Sequence, residues 1–401
     1  MNVIQSINSS NAIEPPVSLP PLPTGNVAKW IRRYAQVAAI AFVGLFYAQP
    51  VTALELVSNL GENPGDLRMY VHRPSGFREG LPLVVALHGC TQTATDFDDE
   101  TGLIALAEEI PFLLLLPEQR EENMPRRCFR WYDTHDNQSG QGESASILAM
   151  VDAAIEAEGV DPDRVFILGH SSGGAMTAVM LANYPKRFAG GAVIAGLPVG
   201  CNRPSGAFDL IWNSLQVKSI APDGADASYA CGIRGFDLTD RDGVEWAGYV
   251  TDSAETLPES WPLLSLWQGT ADTIVNPDNL RELTEQWTTV QGIGPVADES
   301  EVIGNAIREV YRDNAGIARI ETWSLDGFDH AVPIDTAGDR AACGQAADYV
   351  TPTDICLGSR LKCDTLRPEG IGCCYGKPLQ TPERRGTRRN ICRTSTGLKP
   401  A

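Results

Sequence analysis

The chain has 401 residues, of which 43% are hydrophobic and 21% charged, as in a globular protein with a sizeable core. Its formal net charge of −19 argues against nucleic acid as the main partner. The ten cysteines form no C-x-x-C pair, which leaves a zinc site without support and favours disulfides in an exported protein.

An export signal is predicted over residues 29–53. Lys29, Arg32 and Arg33 supply positive charge, and residues 35–48 are apolar apart from one glutamine. This run is long enough for a signal peptide and too short for a comfortable membrane span. We therefore expect cleavage before Leu54, with an uncleaved membrane anchor as the alternative. Residues 1–28 form an N-terminal extension that this signal does not explain.

The first part of the mature chain begins with a predicted β-hairpin over residues 56–71. Two apolar runs, 81–87 and 112–116, predict buried strands, and residues 96–109 between them predict a helix. Residues 118–142 have no hydrophobic periodicity. We expect there a long loop of the kind that carries functional residues.

The central stretch contains a G-x-S-x-G motif at residues 169–173, preceded by a predicted amphipathic helix over 144–158. The apolar run 165–168 leads into the motif as a buried strand, and a Pro-free apolar run predicts a helix after it. A serine at such a turn exposes its hydroxyl at the end of the sheet. The motif predicts Ser171 as a nucleophile, with the N–H of Ser172 as an oxyanion donor at a helix N-terminus.

Beyond the motif, strands and helices continue to alternate. Residues 200–248 are irregular, include Cys201 and Cys231, and predict an insertion over the active-site face; both cysteines are expected to be disulfide-bonded. The other predicted elements are strands at 192–195, 263–267 and 318–324, and a helix capped by Asn276 that starts at Pro277 and runs to about Trp287. This alternation predicts an α/β fold with a mainly parallel central sheet and helices on both faces.

A nucleophilic serine needs a base and a carboxylate that orients the base, in the chain order Ser, acid, His. His330 is the only histidine after Ser171, and it follows the last predicted strand. Asp272 follows the strand at 263–267 and is the predicted acid, whereas the rivals Asp326 and Asp329 lie on the loop of the histidine itself. The second oxyanion donor is predicted to be the backbone N–H of Cys90, after an early strand.

Four aromatic side chains lie beside these motifs. Trp131 and Trp267 are candidates for contact with the acyl chain or an aromatic ring of a substrate, with burial in the core as the alternative. His88 is expected to pack or hydrogen-bond beneath the site, and His170 to be a buried support beside the nucleophile and not a base.

Leu87–Gln92, Cys128–Trp131, residues 169–200 and Gly269–Asp272 together resemble the corresponding motifs of the poly(3-hydroxybutyrate) depolymerase-type esterases. This secreted α/β-hydrolase family also contains feruloyl and acetyl xylan esterases. The resemblance covers about residues 56–357. It implies the triad Ser171, Asp272 and His330, and an oxyanion N–H from Cys90 in a disulfide whose nearest motif partner is Cys128. It also implies a pair between Cys343 and Cys356.

The sequence therefore predicts a secreted serine esterase, extracellular or periplasmic, with an α/β-hydrolase domain over residues 54–358. Its expected substrate is a polyhydroxyalkanoate polymer or oligomer, with plant cell-wall esters as the runner-up and a catalytically silent binding protein as the rival class. No metal, cofactor, nucleic acid or stable membrane partner is expected, and the oligomeric state is open. Residues 359–401 carry ten Lys/Arg against three Asp/Glu. Three interpretations of this segment are open: a small disulfide-bonded appendage, a disordered end, or a segment translated out of frame.

Overall fold

The computed structural model describes residues 54–58, 61–203, 230–234, 240–334 and 350–352. The predicted N-terminal extension and signal peptide, most of the predicted insertion, Cys343, Cys356 and the basic tail lie outside these residues.

Ten strands of the described part form one sheet, in the spatial order β1-β2-β4-β3-β5-β6-β7-β10-β9-β8. In chain order they are β1 (Glu55–Val57), β2 (Arg68–His72), β3 (Leu83–Leu87), β4 (Leu113–Glu118), β5 (Val165–His170), β6 (Gly190–Ile194), β7 (Leu263–Gly269), β8 (Glu299–Ile303), β9 (Ala306–Arg312) and β10 (Ala318–Leu325). The six strands from β4 to β10 are parallel, and an antiparallel pair flanks them on each side. Two short strands, β11 (Val332–Ile334) and β12 (Val350–Pro352), pair separately.

Alternate residues of the central strands enter two different hydrophobic layers. Leu83, Val85 and Leu87 of β3 pack in one layer, and Val84 and Ala86 pack in the other. Helices cover both layers, so the central strands have apolar side chains on both faces and read as continuous apolar runs. The prediction of a mainly parallel sheet with helices on both faces is confirmed.

The helices of the described part are α1 (Ala94–Thr101), α2 (Leu103–Glu109), α3 (Gly142–Glu158), α4 (Ser172–Asn183), α5 (Gly243–Ser253) and α6 (Asn279–Val290). The single helix predicted over 96–109 is wrong, because Gly102 adopts φ +72° and divides it into α1 and α2. The prediction that residues 200–248 are irregular is wrong at its end, because helix α5 begins at Gly243 and is capped by Asp242.

Two further elements differ from the prediction. Helix α6 begins at Asn279, two residues later than expected, because Asn276 accepts the Asp278 N–H (3.0 Å) and forms a turn before the helix. The hairpin β8–β9 was not predicted. Its edge strand β8 is almost fully exposed, so it lacks the apolar alternation that indicates a half-buried strand.

Candidate active site

Ser171 lies between the end of β5 and the start of α4, with φ +56° and ψ −119°. This conformation is rare for a residue with a side chain, and it is held by a hydrogen bond from the Ser171 N–H to Ile194 O (2.9 Å). A Cβ on Gly169 would lie 2.3 Å from Gly173 O, and one on Gly173 would lie 2.2 Å from Leu87 O. The two glycines of the motif therefore permit the close approach of α4 to β5 and β3.

The Ser171 hydroxyl lies in line with an imidazole and a carboxylate. His330 Nε2 is 2.8 Å from Ser171 Oγ, and His330 Nδ1 is 2.7 Å from Asp272 Oδ2. A carboxylate only accepts hydrogen bonds, so the Nδ1 proton points to Asp272 and the Nε2 lone pair faces the serine. In this arrangement the imidazole can remove the hydroxyl proton of Ser171.

The carboxylate of Asp272 is buried and fixed by its neighbours. Its Oδ1 accepts the Ile274 and Val275 N–H groups (2.8 and 2.9 Å), and its Oδ2 accepts Gln268 Nε2 (2.8 Å). The rivals Asp326 and Asp329 are both exposed. Among Asp272, Asp326 and Asp329, the structure therefore places Asp272 against the imidazole, as a buried carboxylate in a fixed orientation.

Cys90 and Ser172, the two predicted oxyanion donors, both line a cavity with Ser171 and His330. The Gly89 N–H donates to Gln92 Oε1 (2.7 Å) and the Thr91 N–H to Arg126 O (2.6 Å). The Cys90 N–H between them donates to no acceptor among the described residues. Ser172 is the first residue of α4, where an N–H has no acceptor within the helix. Both N–H groups are available to a ligand in the cavity.

Two disulfides hold the segments around this cavity. Cys90 is bonded to Cys128, the pair that the family resemblance implies, and this bond joins the loop after β3 to the loop at 119–141. Cys201 is bonded to Cys231. Residues next to Cys231 pair with the loop of Asp272, since Ile233 forms an isolated antiparallel bridge with Val275.

The cavity has a volume of about 150 Å³ and a largely apolar wall. Trp131 is 8% exposed and lies in this wall, with its ring edge-on to Tyr132 at 5.4 Å between centroids. The other apolar side chains of the wall are Met124, Leu197, Ile233, Ile274 and Val275.

The structure does not bring Trp267 to the cavity, and its prediction as a substrate contact is corrected. It is 2% exposed and stacks on Trp323 with 4.7 Å between ring centroids. Its Nε1 donates to Ser265 Oγ (2.7 Å). Because successive strand residues point to opposite faces of a sheet, Trp267 enters the layer that contains α1 and α2, where it contributes to the core.

Two buried histidines lie close to the site. His88 Nε2 accepts the Gln119 N–H (3.0 Å), and burial lowers the pKa of this imidazole to about 4. His170 is 1% exposed, and burial together with the nearby His330 ring, at 4.9 Å, holds its pKa well below the ordinary value. Both imidazoles are therefore neutral near pH 7, and neither bonds to the Ser171 hydroxyl.

Glu143, at the start of α3, was not singled out in the sequence. It is buried, accepts the Arg130 N–H (2.7 Å) and a hydrogen bond from the Gln119 side chain, and so ties the start and the middle of the 119–141 loop to the helix. Burial raises the pKa of this carboxyl to about 8, against the effect of these donors. No periodicity distinguishes Glu143 from the other two glutamates of its helix, neither of which is buried.

Neither a metal cluster nor a membrane span was found in the described ranges. No group of three His, Cys, Asp or Glu side chains there could hold a metal ion. No helix there is long and apolar enough to cross a membrane.

Comparison with known proteins gives several related esterases. Residues 67–218 match the family described as Esterase PHB depolymerase. The chain is 34% identical to poly(3-hydroxyalkanoate) depolymerase C of Paucimonas lemoignei, over 82% of this chain and 76% of that protein. It is 28% identical to feruloyl esterase B of Talaromyces funiculosus, over 71% and 75% of the two chains. The solved acetyl xylan esterase of Aspergillus awamori superposes with a TM-score of 0.59 at 26% identity, covering 70% of this chain and 94% of that one.

Proposed function

Because this chain belongs to the PHB depolymerase family of esterases and is a carboxylic ester hydrolase, we propose that it is a serine esterase acting on polyhydroxyalkanoate esters. The observation that carries the proposal is the continuous hydrogen-bonded line from Asp272 through His330 to Ser171, which ends at an apolar cavity. The relative with 34% identity, named as a poly(3-hydroxyalkanoate) depolymerase, supports the choice of substrate.

In this mechanism His330 Nε2 takes the proton of the Ser171 hydroxyl while Oγ attacks the carbonyl carbon of the ester. The negative charge that develops on the carbonyl oxygen is stabilised by the N–H groups of Cys90 and Ser172. His330 then gives its proton to the oxygen of the leaving alcohol, and the acyl group stays on Ser171. A water molecule, deprotonated by His330, attacks this acyl-enzyme and releases the acid.

The second candidate function is hydrolysis of feruloyl or acetyl esters of plant cell-wall polysaccharide. The superposition on an acetyl xylan esterase, at 26% identity over 94% of that chain, favours this candidate. Both functions use the same nucleophile and differ only in the acyl and alcohol parts that the cavity receives.

The proposal includes export and one catalytic domain over residues 54–358. Two disulfides in the described part support an oxidising compartment, extracellular or periplasmic, because cytosolic reductants keep most thiols reduced. The predicted signal at residues 29–53 supplies the route.

The test is hydrolysis by the purified mature protein of poly(3-hydroxybutyrate), acetylated xylan, methyl ferulate and short nitrophenyl esters, measured side by side. Ser171→Ala should abolish every activity while the melting temperature stays the same, since only Oγ is lost. Ser172→Ala is the matched control, because it keeps the backbone N–H.

Ser171→Ala activity within about tenfold of wild type would assign the nucleophile to another residue. Wild-type protein that neither hydrolyses any of these esters nor reacts at Ser171 with a fluorophosphonate would indicate a silent binding protein. Preference for xylan or ferulate over the polyester would favour the second candidate.

A further inference from the structure

The described charged side chains that line the active-site cavity all carry one sign. Arg126 and Arg234 line it, and none of the aspartates and glutamates that the structure describes does. The whole chain has 51 acidic residues against 32 Lys and Arg. In the described part, the cavity is therefore lined by two arginines and no acidic residue, whereas acidic residues outnumber basic ones in the whole chain.

These two arginines also differ from most others in the described part. Arg73, Arg130 and Arg312, for example, each lie within 4.0 Å of a carboxylate oxygen. Neither Arg126 nor Arg234 forms an ion pair with any residue the structure describes, and both are exposed. Their charge is available to a ligand.

The main chain of each arginine is tied to a loop that carries a proposed catalytic group. Arg126 O accepts the N–H of Thr91, the residue after Cys90, and Arg126 stands two residues before the disulfide-bonded Cys128. The Arg234 N–H donates to Ile274 O (2.7 Å), two residues after Asp272.

Arg234 also adopts φ +57°, a conformation that residues with a side chain rarely take. It stands three residues after the disulfide-bonded Cys231. The side chains of both arginines therefore extend from backbone that is held in place relative to Ser171.

A carboxylate is the anion that suits this arrangement, because guanidinium groups bind carboxylates through charge-assisted hydrogen bonds. In an oligomer of a 3-hydroxyalkanoate, the alcohol part of the terminal ester bond is a hydroxy acid with a free carboxylate. Only two carbons lie between that carboxylate and the ester oxygen. When Ser171 attacks this ester bond, the carboxylate therefore lies close to the serine. Internal bonds of a polymer, acetylated xylan and methyl ferulate offer no anion there.

We propose that Arg126 and Arg234 bind the free carboxylate of the leaving hydroxy acid, so that the enzyme releases monomers from the carboxyl end of short hydroxyalkanoate oligomers. This inference rests on the proposed function and adds the part of the substrate that is recognised.

The experiment compares the linear dimer of 3-hydroxybutyrate with the same dimer blocked as its terminal methyl ester. The readout is the ratio of the two KM values. Wild-type enzyme should have a lower KM for the free acid, and Arg126→Gln with Arg234→Gln should raise the free-acid KM about tenfold relative to the blocked dimer. Added salt should have the same effect on the ratio in wild type, since these groups are exposed.

Two further variants separate charge from structure. Arg78→Gln is the matched control, because Arg78 is exposed, lies outside the cavity and forms no ion pair with a described residue, and it should leave both KM values unchanged. Arg126→Lys with Arg234→Lys should restore part of the preference, because lysine keeps the charge and loses the planar fork.

Equal KM values for the two dimers in wild type, or a ratio that the Gln variants do not change, would overturn this inference while ester hydrolysis stands. Failure of wild type on both dimers and on nitrophenyl esters would instead overturn the proposed function.

Discussion

At the scale of single residues, the hydrogen-bond partners of Asp272 hold its carboxylate in one orientation. Backbone N–H groups hold one carboxylate oxygen, and Gln268 and His330 share the other. The orientation of the imidazole therefore follows from the loop after β7, and the proposed nucleophile depends on a residue 58 positions before the histidine.

Asp272→Asn should lower kcat by about three to four orders of magnitude without unfolding the protein. An asparagine side chain has about the same shape but carries no charge to stabilise the imidazolium. Its NH2 group can also donate a hydrogen bond to His330 Nδ1, which favours the wrong tautomer of the ring. The measurement is kcat on a nitrophenyl ester together with the melting temperature.

Gln268→Leu serves as the comparison, because it removes one hydrogen bond and keeps the carboxylate, so its loss of kcat should be much smaller. An Asp272→Asn enzyme within tenfold of wild type would assign the acid to another residue.

Some residues of the site could be predicted from the sequence, and others could not. Ser171, Asp272 and His330 each follow a predicted strand, and the carboxyl ends of parallel strands meet at one edge of the sheet, so these candidates could be selected together. Trp131 and Trp267 share their residue type and both lie beside a motif, and only the structure separates the one in the cavity wall from the one in the core. Arg126 and Arg234 stand in no motif, so their shared position depends on tertiary contacts that a single sequence does not reveal.

At the scale of elements, the 119–141 loop has no helix or strand and yet supplies Trp131 to the cavity wall. It is fixed by the Cys90–Cys128 bond, which spans 38 residues, and by the buried carboxyl of Glu143. The two attachments differ in chemistry, so they can be tested separately.

Cys90→Ser with Cys128→Ser should lower both thermal stability and turnover. In the chain-entropy model a loop of this length contributes on the order of 3–4 kcal/mol to the free energy of unfolding. Turnover should also fall, although the Cys90 N–H remains, because an oxyanion donor must keep its position to a fraction of an ångström. The measurements are the melting temperature and kcat, with peptide mapping under non-reducing conditions to establish the bond in wild type.

The matched control is Cys201→Ser with Cys231→Ser, which opens a loop of 30 residues that carries neither proposed oxyanion donor and should reduce stability with a smaller effect on kcat. Unchanged turnover and melting temperature in the Cys90/Cys128 variant would contradict the role of this bond, as would a free thiol at Cys90 in wild type.

Glu143→Gln should change how stability depends on pH. The folded-state pKa of about 8 lies above the ordinary value of 4.5, so the unfolded chain releases this proton first as the pH rises. Wild type should therefore lose stability relative to the Gln variant between about pH 4.5 and pH 8, and the difference should level off outside that window.

Denaturant titrations of both proteins at pH 4.5, 6 and 8 measure this difference. Glu156→Gln, on the same helix, is the control. A difference in unfolding free energy that stays constant with pH would refute the raised pKa.

The elements themselves could be predicted where apolar residues are continuous or alternate. Strands β3, β4 and β5 are buried along their whole length, so their runs of apolar residues identify them. Strand β8 is exposed and begins Glu-Ser-Glu, so its assignment depends on pairing with β9 and not on its own residues. The break at Gly102 could not be deduced, because a glycine within an apolar pattern is compatible with a continuous helix.

At the scale of the whole molecule, the sheet brings segments that are far apart in the chain to one edge. The ends of β3, β5, β7 and β10 precede Cys90, Ser171, Asp272 and His330, respectively. The ten-stranded sheet of the described part thus carries the whole proposed site.

Export predicts a defined start for the mature enzyme. Protein recovered from the medium or periplasm of a secreting host should begin at Leu54, because signal peptidase cleaves after small residues such as Ala53. Mass spectrometry of the intact protein measures this. Exported protein that begins at Met1 would rule out cleavage, and protein found only in a membrane fraction would favour an anchor.

The distance along the chain between Ser171 and His330 is 159 residues, and the histidine follows β10, which pairs with β7. In the proposed mechanism, a ribosome that has produced Ser171, the two oxyanion donors and Asp272 has still produced an inactive polypeptide. Hydrolytic activity then requires synthesis of the chain beyond the last parallel strand, as far as His330. This mechanism implies that a cell making the protein meets no esterase activity until most of the proposed domain has been translated, and that recovery of activity on refolding requires His330 to reach Ser171.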